Sequence, residues 1–355
     1  MGMVRFDEIA KECRNTYKGS FVNVPIVGLE HIEPYDMLLH NSDINVETTF
    51  TKSFKKGQIL FGRRRAYQHK ACVATFEGVC SGDITVIEPI EGKVHPDLLP
   101  FIVQNDDFFE HAIKGSNGAL SPRVKWEHMA NFEVNLPSLA EQKVLAEKLW
   151  AAYEVKQSYL KMIEATQEMV KSQFIEMFKS EDNYEPLENV VVVKDDCRKP
   201  INDGVRGSMK EGELYPYYGA TGVVDYINDY ITDEELLCIA EDCGNYKAGE
   251  DSSYIINGKA WVNNHAHLVK TKECCEIKYL HQYLKITDLM PYVSGTTRLK
   301  LTQKKMKEIP VLLPSIELQN KFVSIAEQAD KSVFELRKSI DAIDKVIKSL
   351  INENL

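Results

Sequence analysis

Three adjacent arginines, Arg63, Arg64 and Arg65, are the residues of this 355-residue sequence best suited to a specific chemistry. A guanidinium can give two parallel hydrogen bonds to guanine O6 and N7, and it also pairs with phosphate. The three lie in Gly62-Arg63-Arg64-Arg65-Ala66-Tyr67, between two apolar stretches, which is suitable material for a hairpin facing DNA. Strand alternation would let only some of them share one face. From Thr48 to Phe76 there is no Asp or Glu, while Lys52, Lys55, Lys56, Arg63, Arg64, Arg65 and Lys70 give seven positive charges. A second patch holds Arg298, Lys300, Lys304, Lys305 and Lys307. Two Gly-Ser/Thr loops, Gly115-Ser116-Asn117-Gly118 and Ser294-Gly295-Thr296-Thr297, could turn backbone N–H groups toward phosphate. Each runs into cations, Arg123 and Lys125 after one and Arg298 and Lys300 after the other. The formal net charge of −10 argues against a general polyanion binder, but a DNA footprint is local and the acid lies elsewhere, as from Glu176 to Asp196. The plain alternative is a solvated charged face.

Catalytic sets are sparse. Asp83, Glu91 and Lys93 have the acid, spacer, Glu-x-Lys order of metal-dependent nucleases, in which two carboxylates hold Mg²⁺ and a lysine steadies developing charge. Gly92 between the last two reads instead as a turn after a strand. There is no GxxxxGK[ST] phosphate loop, no Asn-Pro-Pro-aromatic motif and no Gly-rich cofactor loop of a methyltransferase. His265 and His267 would share a strand face, but a third metal ligand is not evident. The eight cysteines never form CxxC, so reduced, mostly buried thiols of a cytosolic protein are expected, with neither disulfides nor zinc. No apolar run is long enough to span a membrane, and the first residues lack the apolar stretch of a signal peptide.

The chain is written twice. Asn135-Leu136-Pro137-Ser138-Leu139-Ala140-Glu141-Gln142 matches Leu312-Leu313-Pro314-Ser315-Ile316-Glu317-Leu318-Gln319 at an offset of 177, and the same offset carries Gly118 onto Gly295, Met129 onto Met306 and Ile163 onto Ile340. Each copy has a head, the Leu-Pro-Ser signal and a long helix, and the heads barely resemble one another. Ser138 and Ser315 are N-cap candidates. The second helix carries a four-three apolar seam of Phe322, Ala326, Ala329, Val333, Leu336, Ile340, Ile343, Ile347 and Leu350. The first carries Leu145, Leu149, Ala152, Lys156, Tyr159, Ile163, Thr166, Val170 and Gln173, where the polar members could fix register. Seams this long predict a coiled coil, formed most simply by the two helices running antiparallel, with homodimerisation as the alternative.

The heads read as mixed α/β. Strands are expected at Val24–Gly28, Gln58–Gly62, Ala71–Thr75 and Asp83–Glu88 in the first, and at Val190–Val193, Leu236–Ala240, Tyr254–Ile256 and His267–Val269 in the second. Helices are expected at Pro96–Gly115 and Ile277–Met290. Tyr67, Tyr217 and Tyr218 are read first as half-buried packing residues. The fold class is therefore α+β: two mixed heads separated by two long antiparallel coiled-coil helices in a pseudo-two-fold repeat.

Several segments together resemble the specificity subunits of type I restriction-modification systems. They are Phe54 to Tyr67 (Phe-Lys-Lys-Gly-Gln-Ile-Leu-Phe-Gly-Arg-Arg-Arg-Ala-Tyr), Val79-Cys80-Ser81-Gly82-Asp83-Ile84, Tyr215-Pro216-Tyr217-Tyr218-Gly219-Ala220-Thr221-Gly222 and the repeated Leu-Pro-Ser-helix unit. The likeness covers nearly the whole chain, although the first head starts almost at once, as if an N-terminal segment were trimmed relative to many members. The resemblance implies target-recognition domains at 1–137 and 181–314 and spacer helices at 138–180 and 315–355. Each head would read half of a bipartite, asymmetric site in double-stranded DNA, and the helices would set the gap. Two methyltransferase subunits carrying S-adenosylmethionine would methylate an adenine in each half-site, and restriction-translocase subunits using ATP and Mg²⁺ would join them. This chain would bind no cofactor and catalyse nothing. The candidate DNA contacts are Lys55, Arg63, Arg64, Arg65, Tyr67, Lys70, Ser121, Arg123, Lys125, Tyr218, Thr221, Thr297, Arg298 and Lys300. Competing classes are a self-contained nuclease, which needs Glu91 at a metal, and a coiled-coil scaffold, which leaves the basic patches without a purpose.

Overall fold

The Leu-Pro-Ser signals introduce two long helices, Leu139–Phe178 and Ile316–Asn354, in a computed structural model that describes residues 2–116, 121–296 and 298–355. Ser138 starts the first helix with a reciprocal cap: the Glu141 N–H donates to Ser138 Oγ at 3.4 Å, and the Ser138 N–H donates to Glu141 Oε2 at 2.9 Å. One turn in, Gln142 and its repeat partner Gln319 are fully buried. Gln142 accepts from the His95 N–H at 2.8 Å and donates to the Pro137 carbonyl at 2.9 Å. Gln319 accepts from the Glu276 N–H at 2.9 Å and donates to the carbonyls of Pro314 at 2.9 Å and Cys274 at 3.0 Å. Each carboxamide thus ties a helix start to the segment that follows the main sheet of its own head.

The chain forms two compact units, Met1–Tyr159 with Lys338–Leu355, and Leu160–Arg337. In the first, strands Ala10–Cys13, Ile84–Pro89, Ile59–Gly62 and Ala71–Val73 make one antiparallel sheet in that spatial order. A second sheet sets Ile26–Val27 parallel and Lys52–Phe54 antiparallel to Gly78–Cys80. Gly2–Arg5 pairs with Glu133–Leu136 just before the long helix. The core joins Phe6, Phe61, Phe101, Phe108 and Phe109 to Leu145, Leu149, Tyr153 and Ile351, so the two helix segments of this unit close over the head. They run antiparallel, with Lys156 bonded to Asp344 at 2.7 Å, so the polar seam position is satisfied across the pair.

The second unit repeats the plan. Val191–Val193, Ala266–Thr271, Leu236–Ala240 and Ser253–Ile256 form the main sheet. Tyr215–Tyr218 lies parallel and Thr232–Asp233 antiparallel to Lys259–Val262, with Val223–Ile227 added at the edge. Tyr184–Pro186 pairs with Pro310–Leu312. Phe174 and Phe178 pack edge-on against Phe322 at 5.3 and 5.7 Å, and Val170, Ala326 and Ala329 join the same core, again with antiparallel helix segments. Ile163 is buried, whereas Ala152, Tyr159, Val333, Leu336, Ile340, Ile343, Ile347 and Leu350 are half-buried, as a seam covered from one side only must be.

Each expected strand falls on an observed one, Leu236–Ala240 with the same ends and the others with altered ends. The helices differ more. Pro96–Gly115 divides into Leu99–Val103 and Asp106–Lys114, because Asn105 is extended and caps the second piece through the Asp107 N–H. Ile277–Met290 stops at Ile286, where Thr287 turns extended.

Replacing Gln319 by Leu would leave the buried Pro314 carbonyl and the part-buried Glu276 N–H and Cys274 carbonyl without their partner. The expected loss is roughly 2–4 kcal/mol, read as a lower urea midpoint by fluorescence of Trp261, the one tryptophan of the second unit. An unchanged midpoint would show that the carboxamide holds nothing.

Candidate nucleic-acid interface

The strand Ile59–Gly62 delivers Arg63, Arg64 and Arg65 to one end of the first head's main sheet. The segment after the glycine loop comes back alongside: the Val124 N–H donates to the Arg63 carbonyl at 2.9 Å, the Arg65 N–H to the Pro122 carbonyl at 2.9 Å, and Arg64 bridges Arg123. This brings five expected residues, Arg63, Arg64, Arg65, Ser121 and Arg123, into one cluster, and it adds Asp83. Arg123 donates from Nε and Nη2 to Asp83 at 2.7 and 3.3 Å. Arg64 donates from Nε to Ser121 Oγ at 2.7 Å, and its Nη1 lies 3.5 Å from Asp83. The hydrogen bond from Arg123 holds the Asp83 carboxyl below the usual carboxylate range. Arg65 (φ 54°) and His69 (φ 51°) are left-handed residues at the two ends of a 3₁₀ turn, Ala66–Gln68. That turn leaves Arg65 exposed and Tyr67 55% exposed, against the packing role expected for this tyrosine.

Other expected contacts are dispersed. Lys55 sits in the turn before Ile59–Gly62, at the opposite end of that strand from the arginines. Lys70 gives its ammonium to the Leu29 carbonyl at 2.7 Å. Lys125 shares a cleft of 780 Å³ with Arg14, Lys52, Arg63, Trp126, Glu12 and Glu127. Lys52 donates to the Ile84 carbonyl at 2.6 Å, and burial lowers its pKa.

In the second head, the same backbone positions carry opposite charges. The Arg63 N–H donates to the Asp83 carbonyl at 2.9 Å, and the Glu241 N–H donates to the His265 carbonyl at 2.8 Å. The Leu301 N–H donates to the Glu241 carbonyl at 2.8 Å, as Val124 does to Arg63. Arg63 and Arg64 therefore correspond to Glu241 and Asp242, and Asp83 to His265. The pair Arg64–Asp83 becomes Asp242–His265, at 2.9 Å. Arg298 reaches Asp242 and Lys300 reaches Glu241 at 2.9 Å. Beneath them, Arg198 bonds Glu241 at 2.8 Å and Asp195 at 2.9 Å. His267 bonds Asp195 at 2.8 Å and the Leu301 carbonyl at 2.9 Å, so both its nitrogens are engaged. Burial pushes Asp195 and Glu241 upward, but hydrogen bonds from His267, Gln303 and the Leu268 N–H to the first, and from Lys300 and Arg198 to the second, outweigh it and hold both below their ordinary values. Tyr218 is half-buried and stacks on Tyr254 at 5.5 Å, which fits a packing role, while Thr221 is exposed. Thr297 and the residues 117–120 of the first loop lie outside the described residues.

Sequence reasoning passed over Asp195, Arg198, Glu241 and Asp242, since nothing in their spacing shows that they meet. The nuclease arrangement fails on geometry. Asp83 precedes and Glu91 follows the strand Ile84–Pro89, about 20 Å of extended chain, and Asp83 is held by two arginines. No group of three potential metal ligands occurs among the described residues. Burial pushes the thiols of Cys13, Cys80, Cys238 and Cys275 up to about 12, which keeps them protonated. No helix among the described residues is long and apolar enough to cross a membrane.

A head of one topology used twice, each followed by a long helix, defines a class of two-headed repeat protein, and comparison with known proteins gives the family. The family model described as type I restriction modification DNA specificity domain matches residues 10–164 and 186–343. The chain belongs to this family. It is similar to S.HindORF215P of Haemophilus influenzae, described as a type I restriction enzyme specificity subunit, with 35% identity over 148 residues, 42% of this chain and 37% of that one. The EcoDI specificity subunit of Escherichia coli is 24% identical over 151 residues, 41% of this chain and 33% of that one. The matched segments thus span about a third of the length of these relatives. Among solved structures, the type I restriction-modification S subunit from M. genitalium matches with a TM-score of 0.59 at 14% identity, covering 99% of this chain and 94% of that one. A chain from a structural study of type I R-M complex assembly and conformational transition matches with a TM-score of 0.54 at 14% identity, covering 99% and 97%. These two likenesses show the fold.

Asp195 and Glu241 are more acidic folded than unfolded. The stability they add is complete above the unfolded carboxylate value near ~4 and is lost as pH falls through the depressed values. Thermal melting of the second unit should therefore drop on acidification, with a shallower drop in Asp195→Asn. An identical acid limb in the variant would remove Asp195 from this account.

Proposed function

We propose that this chain is the DNA sequence-specificity subunit of a type I restriction-modification complex, with target-recognition domains at 1–137 and 181–314 and spacer helices at 138–180 and 315–355. Each head reads one half of a bipartite, asymmetric site in double-stranded DNA. The helices fix the gap and dock two methyltransferase subunits, which carry S-adenosylmethionine and methylate adenine. Restriction-translocase subunits that use ATP and Mg²⁺ join in the cytoplasm. DNA contacts come from Arg63, Arg64, Arg65, Tyr67, Ser121, Arg123 and Lys125 in the first head, and from Thr221, Thr297, Arg298 and Lys300 in the second. Lys55, Lys70 and Tyr218 are peripheral or structural contributors.

The observation that carries this reading is one topology used twice with exchanged charges at the same place, Arg63 and Arg64 against Glu241 and Asp242, while the Arg64–Asp83 contact is replaced by Asp242–His265. Two heads reading the same bases would keep the same side chains there. Exchange with retention of the pairing fits heads that present different donors and acceptors to different half-sites. The family match over both halves supports the same conclusion. A ruler role is supported by the two unbroken helices, each of which passes from the residues of one unit into those of the other.

Co-production with the methyltransferase subunit of the same system, followed by mapping of methylated adenines, should yield a split motif with a fixed gap. A folded complex that neither binds DNA nor methylates it would defeat the proposal. Charge reversal at Arg65 or Arg298 should weaken binding and lower the salt slope by about one each. Inserting one heptad into both helices should lengthen the gap of the recognised site, and an unchanged gap would defeat the ruler role.

A further inference from the structure

Two cations of the first head, Arg65 and Arg123, are held in different ways. Arg65 is exposed and has no carboxylate partner among the described residues. Such an exposed charge suits phosphate, which needs proximity more than direction. Arg123 is held differently. Its Nε and Nη2 form a side-on pair with the two oxygens of Asp83, at 2.7 and 3.3 Å. A guanidinium has five N–H donors in a rigid plane. Side-on pairing uses the Nε proton and one Nη2 proton. The two protons at the far end, one each on Nη1 and Nη2, stay parallel and free, and they have the spacing that matches guanine O6 and N7. The Arg123 side chain is 47% exposed, so this end remains available.

The support beneath it is rigid. Arg123 bridges Arg64, the next residue Val124 is fully buried, and the Val124 N–H is bonded to Arg63. Asp83 is fixed by its own turn, where its N–H donates to Ser81 Oγ at 3.2 Å. Arg64 also faces Asp83, but its Nε is committed to Ser121, so it braces the arm that carries Arg123 and offers DNA only its remaining Nη donors. The carboxylate also discriminates between ligands. It lies close to where a phosphate would sit on Arg123 and would repel it, whereas a base edge brings no charge.

From this geometry we infer that Arg123 is the guanine-reading residue of the first head and that Asp83 is its positioning residue. The inference rests on the reading of the chain as a DNA specificity subunit and sharpens it to one base. The half-site of the first head contains a guanine, read in the major groove by the free end of Arg123. Lysine at this position keeps the charge but has no fork, and asparagine at 83 keeps the shape but loses the charge that orients the guanidinium.

The test uses the full chain co-produced with its methyltransferase, with adenine methylation mapped across a genome for wild type, Arg123→Lys, Asp83→Asn and Arg65→Ala. In Arg123→Lys, discrimination at one guanine of one half-site should fall on the order of 10- to 100-fold, while the other half-site and the gap stay fixed. Asp83→Asn should relax the same position by less, a readout that mere loss of stability would not give. Arg65→Ala should lower methylation at all sites with no change of motif. A wild-type motif in which neither half-site contains a guanine overturns the inference and leaves the specificity-subunit reading standing. So does an unrelaxed motif in both the Arg123→Lys and Asp83→Asn complexes. A wild-type complex that forms but yields no motif overturns the reading itself.

Discussion

The rest of the structure depends on a carboxamide with nowhere to go but inward. Gln142 and Gln319 each sit one turn inside a long helix, fully buried, with hydrogen bonds to chain outside the helix. A buried amide must pair its donors and its acceptor or pay the desolvation penalty of each. Here it pairs with backbone on both sides of the junction, at the residue before the helix cap and at the segment that follows the main sheet. Apolar contacts alone would let a helix start slide or rotate over its head, because the hydrophobic effect has no direction. The carboxamide supplies one. It holds the direction in which nearly forty residues of helix leave each head.

With the helices fixed, the opposite end of each main sheet is free to vary. The bonds that join the sheet to the returning arm are made by backbone, as in Val124 to Arg63 and Leu301 to Glu241, so they do not depend on side-chain identity. The side chains can then exchange charge, provided that they exchange it in pairs. Arg64 with Asp83 and Asp242 with Arg298 are two solutions to one constraint, that a partly covered ion needs a counter-ion. The second head adds a covered network of Asp195, Arg198, Glu241 and His267 that satisfies nearly every donor and acceptor, with Arg198 Nε the exception.

The helices were legible in the sequence because both signals that specify them are local, a serine cap with a neighbouring glutamate and an apolar seam. The repeat was legible because the offset runs without gaps through these segments. The main strands could be read from their apolar runs, and Arg63 to Arg65 from their concentration of charge. What could not be read were the partners. Asp83 is 19 residues from Arg64, and Asp195 is 72 from His267, so only the folded sheet shows that they meet. Asn105 was hidden for another reason. Its flanks are apolar at helical spacing, and periodicity outweighed a single capping residue that the folded chain uses to break the helix in two. Short pairings such as Gly2–Arg5 with Glu133–Leu136 carry little alternation, and they form because the chain must close beneath the helix start.

The 3₁₀ turn between Arg65 and His69 has an energetic consequence. Both ends sit in left-handed backbone, at φ 54° and 51°, where any side chain but glycine costs about 1–2 kcal/mol. Neither end is glycine. His69 recovers part of that strain by lying against Phe109, at 4.4 Å between rings, and by stacking with Tyr35. Arg65 has no such compensation, since its side chain stands in solvent. Arg65→Gly would relieve that strain and remove the cation at this end of the turn with it.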